Sequence, residues 1–167
     1  LLEQAVSEEK GESVPDEKEQ DCLIDLPVDA SIPNDYISST PQRLDIYKMI
    51  ANIRSDSQAN DVYDELTDRF GVPPAPFYGL VEIALLRNVA QKLGIYEIRQ
   101  IGSAVRFFIN DIKPEYLIAL NEKMRGRAKL NSGKKTFITV ETIGGDTIGC
   151  VRDTLMLLDK SAKSENE

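Results

Sequence analysis

Residues 95–101 read Ile95-Tyr96-Glu97-Ile98-Arg99-Gln100-Ile101, and beyond Gly102-Ser103 the chain continues Ala104-Val105-Arg106-Phe107-Phe108-Ile109. Successive side chains of a strand point to opposite faces, so alternation of apolar and polar residues suits a sheet with one buried side. The run before the glycine alternates, the run after it is apolar and β-branched or aromatic, and the Gly-Ser pair is short enough for a tight hairpin. The stretch predicts a β-hairpin and marks where helical periodicity gives way to sheet.

Reading on toward the C-terminus, Pro114 opens a helix over roughly 114–125 with Leu117, Leu120 and Met124 inward. Residues 127–131 and 135–140 form a second hairpin around Asn131-Ser132-Gly133-Lys134, and Asp146 caps a last helix with Cys150, Thr154, Leu157 and Leu158 in its stripe. Reading back toward the N-terminus, three helices precede the first hairpin. The third covers about 76–93, with Leu80, Ile83, Ala84, Arg87, Ala90 and Leu93 near one face and Gly94 ending it. The second takes Asp56 or Ser57 as cap, turns Ala59, Val62, Leu66 and Phe70 inward and closes at Gly71. In the first, Thr40 caps, Pro41 occupies the first turn, and Leu44, Tyr47, Ile50 and Ala51 form the stripe.

A polar loop over 29–39 and a short apolar run over 22–28, CLIDLPV, come earlier; Pro27 makes the latter an edge strand. The fold class that follows is α+β: an N-terminal edge strand and a three-helix region, then a ββαββα antiparallel-sheet half. Residues 1–6 read as the end of a helix that packs elsewhere. The charged stretch 7–20, SEEKGESVPDEKEQ, buries too little to order itself and reads as a flexible linker, and 161–167 as a disordered tail.

Composition excludes several functions. Histidine is absent, so a histidine general base, a Ser-His-Asp triad and His-containing zinc sites have no place within these 167 residues. No apolar run approaches the ~20 residues of a membrane span. Leu1-Leu2-Glu3-Gln4-Ala5-Val6 lacks the basic flank of a secretory signal, and the missing Met suggests an excised piece. Cys22 and Cys150 each sit among apolar residues and read as buried reduced thiols, which fits a cytoplasmic setting. The net charge of −8 is uneven: residues 1–21 hold eight acidic side chains against Lys10 and Lys18, leaving −2 for the remainder. Such a field does not draw the whole chain to phosphate, although a local basic patch can.

Asn131-Ser132-Gly133-Lys134-Lys135-Thr136 lacks the earlier glycine, the Ser or Thr after the lysine, and the following helix of a phosphate-binding loop. Gly144-Gly145-Asp146 leads into a capped helix rather than a dinucleotide fingerprint. Lys123, Arg125, Arg127, Lys129, Lys134 and Lys135 gather near the second hairpin; they either blunt a strand edge or bind an anionic partner, with Phe108 or Phe137 available for stacking. Hence the alternative function, a nucleic-acid-binding module using the basic 123–135 hairpin edge. More informative is the second helix. Asp61, Asp64, Glu65 and Asp68 recur at i, i+3, i+4 and i+7 and share one face, with Arg69 close enough to soften their repulsion. A solvated face explains them, and so does a docking surface for a partner's arginines. An exposed helix face cannot exclude water, and no calcium loop is near, so no catalytic, metal or cofactor site is expected.

Ile24-Asp25-Leu26-Pro27-Val28-Asp29-Ala30, Ile32-Pro33-Asn34-Asp35-Tyr36-Ile37 and Gln42-Arg43-Leu44-Asp45-Ile46-Tyr47-Lys48 resemble the start of the C-terminal domain of transcription-repair coupling factors (Mfd). Glu65-Leu66-Thr67-Asp68-Arg69-Phe70-Gly71-Val72-Pro73-Pro74 is similar to that family's E-L-x-D-R-F-G-x-x-P signature, and Ala84-Leu85-Leu86-Arg87 and Lys92-Leu93-Gly94-Ile95 follow in family order. The resemblance implies that 1–21 is the end of a translocase domain plus an acidic linker, and 22–160 a regulatory domain. It also implies a longer ATP-driven DNA translocase whose absent motor binds DNA, and which acts on stalled RNA polymerase and recruits UvrA in excision repair. In that family this domain packs against a UvrB-like region of the same polypeptide, masks its UvrA-binding surface and restrains the motor. Acidic residues of the signature, here Glu65 and Asp68 with Arg69 adjacent, meet arginines of the UvrB-like region. Asp61 and Asp64 join them by face geometry alone.

Overall fold

The first hairpin closes where the alternation breaks. In the computed structural model, which describes residues 21–164, strand β2 (Ile95–Ile101) pairs antiparallel with β3 (Ala104–Ile109), Ile101 facing Ala104 across the two-residue turn. Gly102 takes φ +59° and Ser103 stays at negative φ, the φ pattern of a type II′ turn, whose twist matches that of the strands. The second hairpin joins β4 (Ala128–Ser132) to β5 (Thr136–Glu141), again antiparallel. β5 also pairs with β3, and β1 (Leu23–Asp25) adds to β2 in parallel, so the order is β1-β2-β3-β5-β4. The sheet is therefore mixed rather than wholly antiparallel. β1 is an edge strand as Pro27 requires, and it stops before that proline.

Five helices complete the described chain: α1 (Thr40–Ala51), α2 (Asp56–Phe70), α3 (Ala75–Lys92), α4 (Pro114–Lys123) and α5 (Thr147–Ser164). The class is α+β, with three helices ahead of a ββαββα unit. The expected helix end at 1–6 and the linker over 7–20 lie outside the described residues, as do 165–167. α5 runs through Ser164, so 161–164 are helical and not part of a tail.

Two cores share one helix. The larger lies between the sheet and α3, α4 and α5, and holds Ile98, Val105, Phe107, Ile138 and Val140 against Leu86, Ala90, Tyr116, Leu120, Val151, Leu155 and Leu158. The smaller joins α1, α2 and α3 around Ile46, Ile50, Val62, Leu66, Phe77 and Ala84. α3 serves both, which is why its burial is not confined to the single face expected. Arg87 is half-buried between them, its Nε donating to the Cys22 carbonyl at 3.3 Å. The Arg152–Glu82 ion pair ties α5 to α3 from outside.

Several local expectations shift by one position. Ser39, not Thr40, caps α1 by accepting the Gln42 N–H, and Ser55, not Asp56 or Ser57, caps α2 by accepting the Gln58 N–H. Asp146 caps α5 as expected, its Oδ1 accepting the Gly149 N–H at 2.9 Å. In α1 the inward residues are Ile46 and Ile50, while Leu44 is 54% exposed and Ala51 faces solvent. The reason is the loop over 29–39, which is not merely polar. It buries Ile32 and Ile37 in the small core, and its Ile32 N–H donates to the Tyr47 hydroxyl at 2.9 Å, which sets the rotation of α1. In α4, Tyr116 takes the buried place expected of Leu117, one residue earlier and in line with Leu120 and Met124.

Candidate docking surface

The signature segment 65–71 divides into anchors and a display. Leu66 is fully buried in the small core. Phe70 packs edge-on against Tyr36 with centroids 6.0 Å apart, and the Tyr36 hydroxyl donates to the Gly71 carbonyl at 2.7 Å and contacts the Leu66 carbonyl at 3.3 Å. Gly71 ends α2 with φ +88° and ψ −179°, a region open essentially to glycine alone. These contacts fix both the rotation and the end of the helix. With Leu66, Val62 and partly Tyr63 turned inward, the carboxylates at 61, 64, 65 and 68 turn outward.

Asp61, Asp64, Glu65 and Asp68 are all exposed, on the face predicted from their spacing. Arg69 reaches back one turn to Glu65, Nη1 to Oε1 at 3.5 Å, with both side chains nearly half exposed, and its guanidinium lies 4.9 Å from the Phe70 ring centre. A solvent-exposed i,i+4 pair of this kind contributes little, ~0.3–0.5 kcal/mol. Among the described residues no lysine or arginine pairs with Asp61, Asp64 or Asp68. Asp68 lies in the last turn, where the helix dipole is itself negative, so an external cation is favoured there twice over. A shallow groove lined by Met49, Asn52, Gln58, Asp61 and Glu65 runs along the α1 side of this face. Carboxylates in an open groove can hold guanidinium groups, and they cannot exclude water. Tyr36 was not singled out from sequence. The signal for it is Ile32 and Ile37, two β-branched apolar residues standing in an otherwise polar loop.

The six basic residues near the second hairpin do not form one patch. Arg127 is turned onto the backbone, donating from Nε and Nη2 to the Glu141 carbonyl at 3.2 and 3.0 Å. Lys123 lines a hollow between α4 and α5, and Arg125 stands beside the β4 edge. Lys129 and Lys135 lie instead on the outer face of the sheet, Lys135 with its Nζ 5.8 Å from the Phe108 ring. Cys22 and Cys150 are both free and buried, and burial pushes the Cys22 thiol up to about 12 and that of Cys150 up as well. No described helix is long and apolar enough to cross a membrane.

The TRCF domain model matches residues 26–118, more than half of the chain. The chain belongs to the TRCF domain family. It is 34% identical over 137 residues to the transcription-repair-coupling factor of Escherichia coli, covering 78% of this chain and 12% of that protein. It is 30% identical over 150 residues to the Bacillus subtilis factor of the same name, covering 86% and 13%. The TRCF domain and its flanks thus span about an eighth of the curated relatives they match. A crystal structure of the C-terminal domain of a transcription-repair coupling factor superposes with TM-score 0.71 at 20% identity, over 86% of this chain and 92% of that one, which shows the shared fold.

Proposed function

We propose that this TRCF domain is a non-catalytic docking and restraining module of a transcription-repair coupling factor. In the longer polypeptide the acidic face of α2 grips arginines of a UvrB-like region, masks that region's UvrA-binding surface and holds the DNA translocase at rest. UvrA and RNA polymerase are then indirect partners, and DNA is handled by the motor. The carrying observation is the division of the signature: Leu66, Phe70 and Gly71 are used internally, while Glu65 and Asp68 face solvent beside Asp61 and Asp64. A segment serving only the core has no need of four carboxylates stacked on one side, where they repel one another.

The grip is electrostatic and therefore reversible. Exposed ion pairs contribute ~0–1 kcal/mol each, whereas interfacial pairs that lose water couple by roughly 1.5–7 kcal/mol. A few such pairs hold a masked state that competing binding energy can open. The test is charge reversal in the full-length protein, Glu65→Arg or Asp68→Arg. Both sites are exposed, so the fold is retained while UvrA affinity and basal ATPase rate rise, by about tenfold for one lost pair of ~1.4 kcal/mol. Unchanged UvrA binding and ATPase rate in both variants refute the latch.

A further inference from the structure

Among the described residues, only one face of the sheet is covered. Ile98, Val105, Phe107, Ile138 and Val140 point into the large core beneath the helices. On the other face the register aligns Phe108 with Phe137, and in the next row Arg99, Arg106, Thr139 and Lys129. None of these belongs to either hydrophobic core. Tyr96, Phe108 and Phe137 run across three neighbouring strands with ring centres 6.2 and 5.2 Å apart. Cations rest on the rings: the Arg106 guanidinium 4.7 Å from the centre of Phe137, Lys135 and Arg99 5.8 and 5.9 Å from that of Phe108. Phe108 is only 7% exposed although no described helix covers it, because these side chains do.

The charges on this face are segregated. Asp25 and Glu97 stand on β1 and β2, where Glu97 pairs with Arg99. Glu141, at the far end of β5, accepts a hydrogen bond from the Ser103 hydroxyl at 2.9 Å. Toward β3, β5 and β4, Arg106, Lys129 and Lys135 pair with no carboxylate among the described residues. The Nε of Arg106 is buried and has no acceptor. The whole chain is acidic, so Arg106 and Lys135 beside aromatic rings, with Lys129 in the same row as Arg106, are a local exception to its field.

We infer that this open sheet face binds single-stranded nucleic acid, with Lys129 and Lys135 on the phosphates and the bases against Phe137, Tyr96 and the guanidinium of Arg106. Stacking on aromatic rings or guanidinium planes requires bases free of a duplex, and an open sheet presents such surfaces side by side. An acidic polypeptide would use the same cations and make no demand on the rings. The surface lies on the sheet rather than on α2, so the docking role stands or falls separately.

The test is fluorescence anisotropy of this 167-residue chain with labelled oligothymidylate and with duplex DNA of the same length, at low salt. Oligothymidylate is expected to bind, with affinity falling steeply as salt rises, and the duplex to bind more weakly. Lys129→Glu with Lys135→Glu, both exposed and tolerated by the fold, weakens binding at least about tenfold and flattens the salt dependence. Phe137→Leu keeps the apolar bulk, removes the ring, and weakens binding about fivefold without changing the salt slope. Absence of binding overturns the inference, and so does equal affinity for the duplex. An unaffected Phe137→Leu variant, with polyglutamate displacing the oligonucleotide equally well, reassigns the face to acidic polypeptides and also overturns it.

Discussion

Leu66→Ala measures how far the signature is a folding element as well as a display. Leu66 is 0% exposed and sits in the smaller core with Ile37, Ile46, Ile50, Val62 and Phe77. Truncating a fully buried leucine loses the transfer free energy of the removed carbons and leaves a cavity, together ~2.7–5 kcal/mol. The lower half of that range applies here, about 3 kcal/mol. The core is small and lies close to partly exposed Tyr36, Tyr63 and Phe70, so its walls have room to relax. A domain of this size is stable by only ~5–15 kcal/mol, so the loss is a large share. Urea unfolding followed by far-ultraviolet circular dichroism reads it as a lower midpoint at unchanged slope. The transition should stay single, because α3 contributes Ala84 to the small core and Leu86 and Ala90 to the large one. A loss below ~1 kcal/mol would refute the anchoring role of Leu66, and a biphasic curve would refute the coupling through α3.

Two glycines give further checks. At Gly71 an added Cβ meets nothing within 4 Å, so Gly71→Ala costs only the strain of its backbone conformation, ~1–3 kcal/mol, measured in the same urea titration. At Gly79, in α3, the added Cβ collides with the Asp29 carbonyl and lies 3.3 Å from the Ala30 Cα, so Gly79→Ala must push the 29–39 loop off the helix and should lower stability more than Gly71→Ala does. For Cys22, burial keeps the folded thiol protonated up to about 12, whereas the unfolded thiol ionises near its ordinary value of 9.0. The unfolded state therefore binds fewer protons above that value. This contribution to stability is complete below pH 9 and is lost as pH rises toward 12, by at most ~1.4 kcal/mol per unit. Thermal unfolding between pH 8 and 10.5 should show a slope that is shallower in Cys22→Ala, and equal slopes would refute it.

Much of this was written locally. Element type and order follow from periodicity and punctuation: Pro41 and Pro114 inside first turns, Gly71 and Gly94 at helix ends, Gly102 in the hairpin, and Asp146 as a cap all act within a few residues of themselves. The acidic face was legible for the same reason, since i, i+3, i+4 and i+7 share a side on any helix. The exact caps of α1 and α2 were not. Ser39 precedes Thr40, Ser55 precedes Asp56, and neighbouring residues of similar chemistry compete for one place.

What only the tertiary structure decided is where each face is spent. Periodicity gives an apolar stripe but not its partner. Leu44 and Leu117 lost their places to Ile46 and Tyr116 because the 29–39 loop and the neighbouring helices fixed the rotation of α1 and α4. Periodicity makes α3 one-sided, and it is buried on two sides because it stands between both cores. The parallel seat of β1 beside β2 joins residues more than seventy positions apart, which no local pattern encodes. The basic residues near the second hairpin are one cluster along the chain, and pairing of the strands sends Arg127 to the backbone and Lys129 to the open face, in the same row as Arg106 across Thr139. Local physics settles what a segment becomes; packing over long separations settles which of its sides meets water.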